Sequence, residues 1–220
     1  MPTTTRVTPR KSATAKSTAS SARTRATPAQ ARAARHAAIA KAKTLAPEVP
    51  ARIGSTPATR FRGDGDVFGR LVEDHDRHRA LLAMIDATHG RSHERVALFE
   101  ELTRELKGHA AAEEQALWST VLRDPATTED ARHAVAEHKE IDELLADLAA
   151  RDMASSGWLR RFAALRDKYL HHLREEEQEQ FVAAQKRLSP ADLRYMRSVF
   201  ARRKAAEKAD AKVEKKLKLQ

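Results

Sequence analysis

The chain contains no cysteine. Disulfide staples, thiolate metal sites, iron–sulfur clusters and cysteine nucleophiles are thereby excluded, and any metal must sit on imidazole and carboxylate. Long apolar runs are missing too. None approaches the ~20 residues needed to cross a bilayer, and the N-terminus lacks the apolar core of a secretory signal, so the expectation is a soluble, cytoplasmic protein with no membrane partner. Acidic residues are nearly absent from residues 1–60, where twelve Lys or Arg face the single acid Glu48. Residues 201–220 hold eight basic and three acidic side chains, so of the net charge of +10 the stretch 61–200 carries −6. There is also no Gly-rich phosphate loop and no nucleophile elbow, and nothing in the sequence assigns an enzymatic activity.

What is present falls into three parts. Residues 1–60 are rich in Ala, Thr, Ser, Pro, Lys and Arg with almost no large apolar side chain. Such a segment cannot bury enough surface to offset its ordering entropy and reads as a disordered basic tail. Within it, Ala29–Leu45 carries enough alanine to become helical on binding a partner. From Asp66 the pattern changes: Val67, Phe68, Leu71, Val72, His75, His78, Leu82 and Ile85 recur three or four apart, the period of an amphipathic helix. Val96, Phe99, Leu102, Leu106, His109, Glu113, Leu117 and Val121 make a second helix that stops before Pro125. A third, capped by Thr127, carries Val135, His138, Ile141, Leu145 and Leu148. A fourth carries Trp158, Phe162, Leu165, Tyr169, His172, Glu176 and Phe181. Ser189-Pro190-Ala191-Asp192 starts a fifth helix through Leu193, Met196 and Phe200, whose end dissolves into a lysine-rich terminus. Short connections favour an all-α, up-down-up-down four-helix bundle over residues 66–187, followed by a C-terminal helix and tail over 189–220.

The bundle contains an internal repeat. Shifted by 63 positions, the sequence places Val72 on Val135, His75 on His138, Phe99 on Phe162, Leu102 on Leu165, and His109-x-x-x-Glu113-Glu114-Gln115 on His172-x-x-x-Glu176-Glu177-Gln178. Each helix pair then offers one His on its first helix and a His-x-x-x-Glu on its second. Residues i and i+4 of a helix lie within roughly 40° of one face and about 6 Å apart along the axis, so one helix can present both to one ion. Two such pairs related by a pseudo-twofold axis bring four imidazoles and two carboxylates together inside a bundle, a donor set suited to iron, manganese or zinc.

The series Asp74-His75, His109-x-x-x-Glu113-Glu114, Glu137-His138 and His172-x-x-x-Glu176-Glu177 resembles the hemerythrin-like (HHE cation-binding) domains over about residues 66–187. That resemblance implies two non-haem iron ions, with His75, His109, His138 and His172 as terminal ligands and Glu113 and Glu176 as bridging carboxylates. It implies a protein that binds or senses iron, dioxygen, peroxide or nitric oxide. Oxygen-carrying members have a further histidine one turn after the first on helix three, where this chain has Asp142. Asp142 itself, a water, or His78 are the candidates for that place, and reversible oxygen carriage is not expected.

Around this set, Glu114 and Glu177 read as solvated salt-bridging residues, and His171 points about 100° away from His172. His89, His93 and His133 fall at helix ends. Tyr169 reads as core, and Leu82, Leu106, Ile141, Leu145 and Leu165 as the packing that keeps the centre dry. The alternative function rests on the tails: a basic protein binding nucleic acid non-specifically by counterion release, with the bundle as scaffold. With no aromatic in residues 1–60, stacking on bases is not available to that tail.

Overall fold

In a computed structural model of the protein, the described residues are 60–89 and 93–211, with scattered positions between 27 and 41. The basic-tail expectation lies largely outside them. Positions 29, 30, 32, 33, 36, 37, 40 and 41 are helical, within the alanine-rich stretch.

Five long helices account for most of the described chain. Helix α1 spans Val67–Asp86 and is started by Asp66, whose carboxylate accepts from the backbone N–H groups of Phe68 and Gly69. Gly69 is required there, because a Cβ would stand 1.9 Å from the Asp64 carbonyl oxygen. Helix α2 spans His93–Glu113, passes through a π-helical turn at Glu114–Trp118 and ends with Ser119–Val121. Helix α3 spans Thr128–Ala149. Helix α4 spans Trp158–Glu175 and likewise continues through a π-helical turn, Glu176–Gln180, into Phe181–Gln185. Each π turn follows or includes one of the two interior glutamates. Its extra residue shifts the helical phase, and Trp118 and Phe181 beyond it are buried.

Helices α1 to α4 form the four-helix bundle, and α5, Pro190–Asp210, packs across α1 and α2. The fifth helix starts as its sequence indicates: Ser189 and Asp192 form a reciprocal capping box with Pro190 at the first turn. It runs on past Phe200 to Asp210, where Lys204 and Lys208 turn inward to buried carboxylates of α1 and α2. The two helices run close at Gly108 of α2, where a Cβ would stand in van der Waals contact with the Lys204 carbonyl at 3.4 Å.

Two apolar clusters fill the bundle. One contains Leu82, Leu106, Ile141, Leu145 and Leu165 together with Phe99, Trp158 and Phe162. The other contains Phe68, Leu117, Trp118, Phe181 and the α5 residues Leu193, Met196 and Phe200. A layer of buried polar side chains lies between them along the helices.

Three local details depart from the sequence reading. The folded unit begins before Asp66: Phe61 is fully buried against Phe68 and Phe181, with ring centroids 4.9 and 6.0 Å away, and Arg62 forks onto Asp76. Thr127 occupies the N-cap position of α3 without capping it, and its hydroxyl donates instead to the Val121 carbonyl at 2.7 Å. Val96 and Val135, on the apolar stripes by spacing, are 39% and 41% exposed. Among the described residues no helix is long and apolar enough to cross a membrane.

Candidate metal centre

The bundle delivers one His from α1, one from α3, and a His and Glu four apart from each of α2 and α4. All six are buried, with His138 the most accessible at 7%. Ligand atoms of Glu113, His138, His172 and Glu176 lie within 4.8 Å of one another, as do those of His75, His109 and Glu176. Glu176 belongs to both groups: its Oε1 is 3.4 Å from His172 Nε2 and its Oε2 is 3.4 Å from His75 Nε2. Glu113 Oε2 similarly lies 3.7 Å from His109 Nε2 and 3.4 Å from His138 Nε2. The two carboxylates therefore span the two halves.

The outward-facing imidazole nitrogens explain why the inner ones converge. His75 Nδ1 donates to Glu177 and His138 Nδ1 to Glu114, both at 2.8 Å. His172 Nδ1 donates to Glu137 at 2.8 Å, and His109 Nδ1 faces Asp74 at 3.4 Å. A carboxylate can only accept, so each Nδ1 carries the proton and a neutral ring has its Nε2 lone pair aimed inward. The pattern is cyclic: α1 supports the histidine of α2, α2 that of α3, α3 that of α4, and α4 that of α1. The 63-residue repeat covers these supports as well, since Asp74 aligns with Glu137 and Glu114 with Glu177.

Glu114 and Glu177 are thus corrected from solvated surface residues to partners of the ligand histidines. Glu177, 2% exposed, also receives Arg79 Nη2 at 2.9 Å. Its periodicity looked wrong because the π turn displaces it inward. Glu114 retains a 41% exposed side chain. Replacing it by Ala is expected to leave folding nearly unchanged while weakening metal binding about tenfold, the lower end for losing such a support because water can reach His138. Equilibrium dialysis reads the affinity, and an unchanged value would mean that the contact does not orient the ring.

Both oxygens of Glu113 and of Glu176, and Nε2 of His138 and His172, have no hydrogen-bond partner. In addition, His75 Nε2 and His109 Nε2 face each other at 3.2 Å. Buried unpartnered polar atoms are costly, and converging lone pairs more so, unless cations occupy the space between them. The donor chemistry, nitrogen and carboxylate oxygen without sulfur, fits iron, manganese or zinc.

Electrostatics of the protein alone point the same way. Burial pushes His109 and His172 down to about 4, keeping both neutral at physiological pH. Burial together with the neighbouring Glu113 charge drives Glu176 well above the carboxylate range. Burial opposes charge on Glu113 and His138 also, but their mutual attraction wins, holding Glu113 at about 2 and raising His138 to about 9.

The remaining candidates lie outside the two groups. Asp142 is half exposed, 3.4 Å from Lys107 Nζ, and lines a surface groove of about 640 Å³ beside His138. His78 is fully buried but its Nδ1 is hydrogen-bonded to the Tyr169 hydroxyl at 2.7 Å, and its Nε2 lies 3.8 Å from Glu105. His171 and His133 are exposed, as expected. Sequence reasoning missed Lys204, which is 4% exposed with its ammonium 2.5 Å from Asp74 and 2.6 Å from Glu105. A lysine in a basic terminus carries no signal that it will be buried. Only its spacing, four and eight after Phe200 and Met196, places it on the inner face of α5.

Comparison with known proteins follows the same lines. The Hemerythrin HHE cation binding domain family matches residues 66–184. A crystal structure of a Hemerythrin HHE cation binding domain-containing protein from Mycobacterium kansasii is similar, with 24% identity and a TM-score of 0.61, covering 67% of this chain and 90% of that one. No curated protein matches this chain.

Proposed function

Because the chain belongs to the hemerythrin HHE cation-binding domain family, we propose that it holds a non-haem di-iron centre and serves to bind or sense iron, dioxygen, peroxide or nitric oxide. The observation that carries this reading is the set of buried, unpartnered atoms converging on Glu113, His138, His172 and Glu176, which cost stability unless a cation lies between them. His75, His109, His138 and His172 would hold the irons together with Glu113 and Glu176, whose carboxylates lie between the two halves. Asp142 is left out of the set, being turned to Lys107. Iron held there supplies a redox couple and affinity for small ligands. Manganese or zinc would fit the same donors without changing the residues involved.

The protein's own contribution is orientation and exclusion of water. The four carboxylates at the Nδ1 positions fix ring tautomers, and the leucines of one apolar cluster and the aromatics of the other keep bulk water from both ends. A helical scaffold without metal has no need of matched interior His and Glu.

Metal loading should release protons. At pH 7 His138, raised to about 9, carries a proton that a ligand must lose, and burial beside Glu113 makes Glu176 hold its proton more tightly than an ordinary carboxylate. Titration calorimetry of the metal-free protein in buffers of different ionisation enthalpy should therefore give at least about one proton released per protein filled. Affinity should climb with pH up to about 9, where His138 deprotonates unaided. Heats independent of buffer would contradict the ligand assignment.

A further inference from the structure

The two interior His-x-x-x-Glu pairs are not the only ones. His133-x-x-x-Glu137 on α3 and His171-x-x-x-Glu175 on α4 have the same spacing and face each other on the outside of the bundle. Glu175 joins them: its Oε2 lies 3.2 Å from His133 Nε2 and its Oε1 3.4 Å from His171 Nε2. His133 Nε2 is also 3.6 Å from Glu137 Oε2. Ligand atoms of His133, Glu137 and Glu175 all fall within 4.8 Å of one another.

We propose that His133, Glu137 and Glu175 form a third metal site, separate from the dinuclear centre, for a single first-row dication such as zinc or ferrous iron. One imidazole and two carboxylates from two helices give three ligands with a net charge of −2, and the half-exposed His133 and partly exposed Glu175 leave room for water to complete the shell. His171 holds Glu175 from its far oxygen. The competing cation is Lys168, whose ammonium is 2.7 Å from Glu137 Oε1. It occupies the other oxygen of that carboxylate, and it has Glu140 at 2.8 Å as a second partner.

Glu137 makes the site more than a surface ion pair. Its Oε2, the oxygen facing His133, also accepts the Nδ1 proton of His172, and the side chain is only 3% exposed. A carboxylate so shared places the outer site one side chain away from the dinuclear centre, where a dication would be collected from solvent directly beside a centre ligand. The net charge of −6 over residues 61–200 favours such collection.

The test uses full-length protein already holding its two irons, titrated with Zn2+ by equilibrium dialysis, with iron counted in the same samples. A third metal equivalent is expected, and its affinity should fall at least about tenfold in His133→Ala and in Glu175→Gln while the iron count stays at two. Neither variant touches the six ligands of the centre, so loss of iron would report on that centre and loss of zinc on this site. Absence of a third equivalent, or one that both variants retain at undiminished affinity, would overturn the proposal.

Discussion

Glu176→Met is expected to purify with no more than trace iron, while its metal-free form unfolds at higher temperature than the metal-free wild type. The first effect follows from geometry. Glu176 is the one member common to both ligand groups, so its loss removes an oxygen from each half rather than weakening one. The second follows from burial. Without a cation, Glu176 is fully buried with neither oxygen hydrogen-bonded and with Glu113 as a charged neighbour. Methionine has similar volume and no polar oxygen, and removing a buried carboxyl whose hydrogen bonds are unmade relieves a cost of about 1–3 kcal/mol. A purely structural glutamate would behave in the opposite way, since removing it would destabilise the metal-free fold. Thermal unfolding of both metal-free proteins separates the two: a lower midpoint for the variant would mean that Glu176 is a structural residue.

Lys204→Met should destabilise the protein by about 3 kcal/mol, the lower end of the range for breaking a buried ion pair. Lys204 reaches both Asp74 and Glu105, two carboxylates with almost no solvent exposure, more closely than Arg77, which lies 3.4 and 3.5 Å from them. Burial alone would push Asp74 up, yet Lys204 and His109 hold it well below the usual range. The loss is not larger because Arg70 still contacts Asp74 at 2.6 Å and Lys208 still reaches Glu105. For a folded unit of this size the midpoint should fall roughly 6–12 °C. Because Asp74 in turn faces His109 Nδ1, iron affinity should fall as well. A variant as stable as wild type would show that α5 is an appendage rather than a wall of the centre. The same experiment bears on the basic C-terminus, two of whose lysines neutralise interior acids and are not available to a polyanion.

How much of this was legible beforehand depended on whether a residue's role repeats. His75 and His138, His109 and His172, Glu113 and Glu176 could be paired by self-alignment, and the helix period placed each on an inner face. The supporting carboxylates repeat as faithfully, Asp74 with Glu137 and Glu114 with Glu177, but a straight 3.6-residue helix puts the residue after an interior glutamate on the outside. The π turns that begin at Glu114 and Glu176 break that phase, and no composition rule announces them. Phe61 was invisible for a different reason: a lone aromatic beside a polar tail makes no periodic pattern, and only Phe68 and Phe181 reveal its pocket. Lys204 and Asp74 lie 130 residues apart, and nothing local in the chain couples them.

The most direct test of the central claim is the metal content of the full-length protein from iron-supplemented cells, by elemental analysis with an ultraviolet-visible spectrum in air. The account predicts about two irons per chain with near-ultraviolet charge-transfer absorption, both lost in Glu176→Met. A protein that stays free of metal under those conditions, with its unfolding temperature unmoved by added iron, would contradict it.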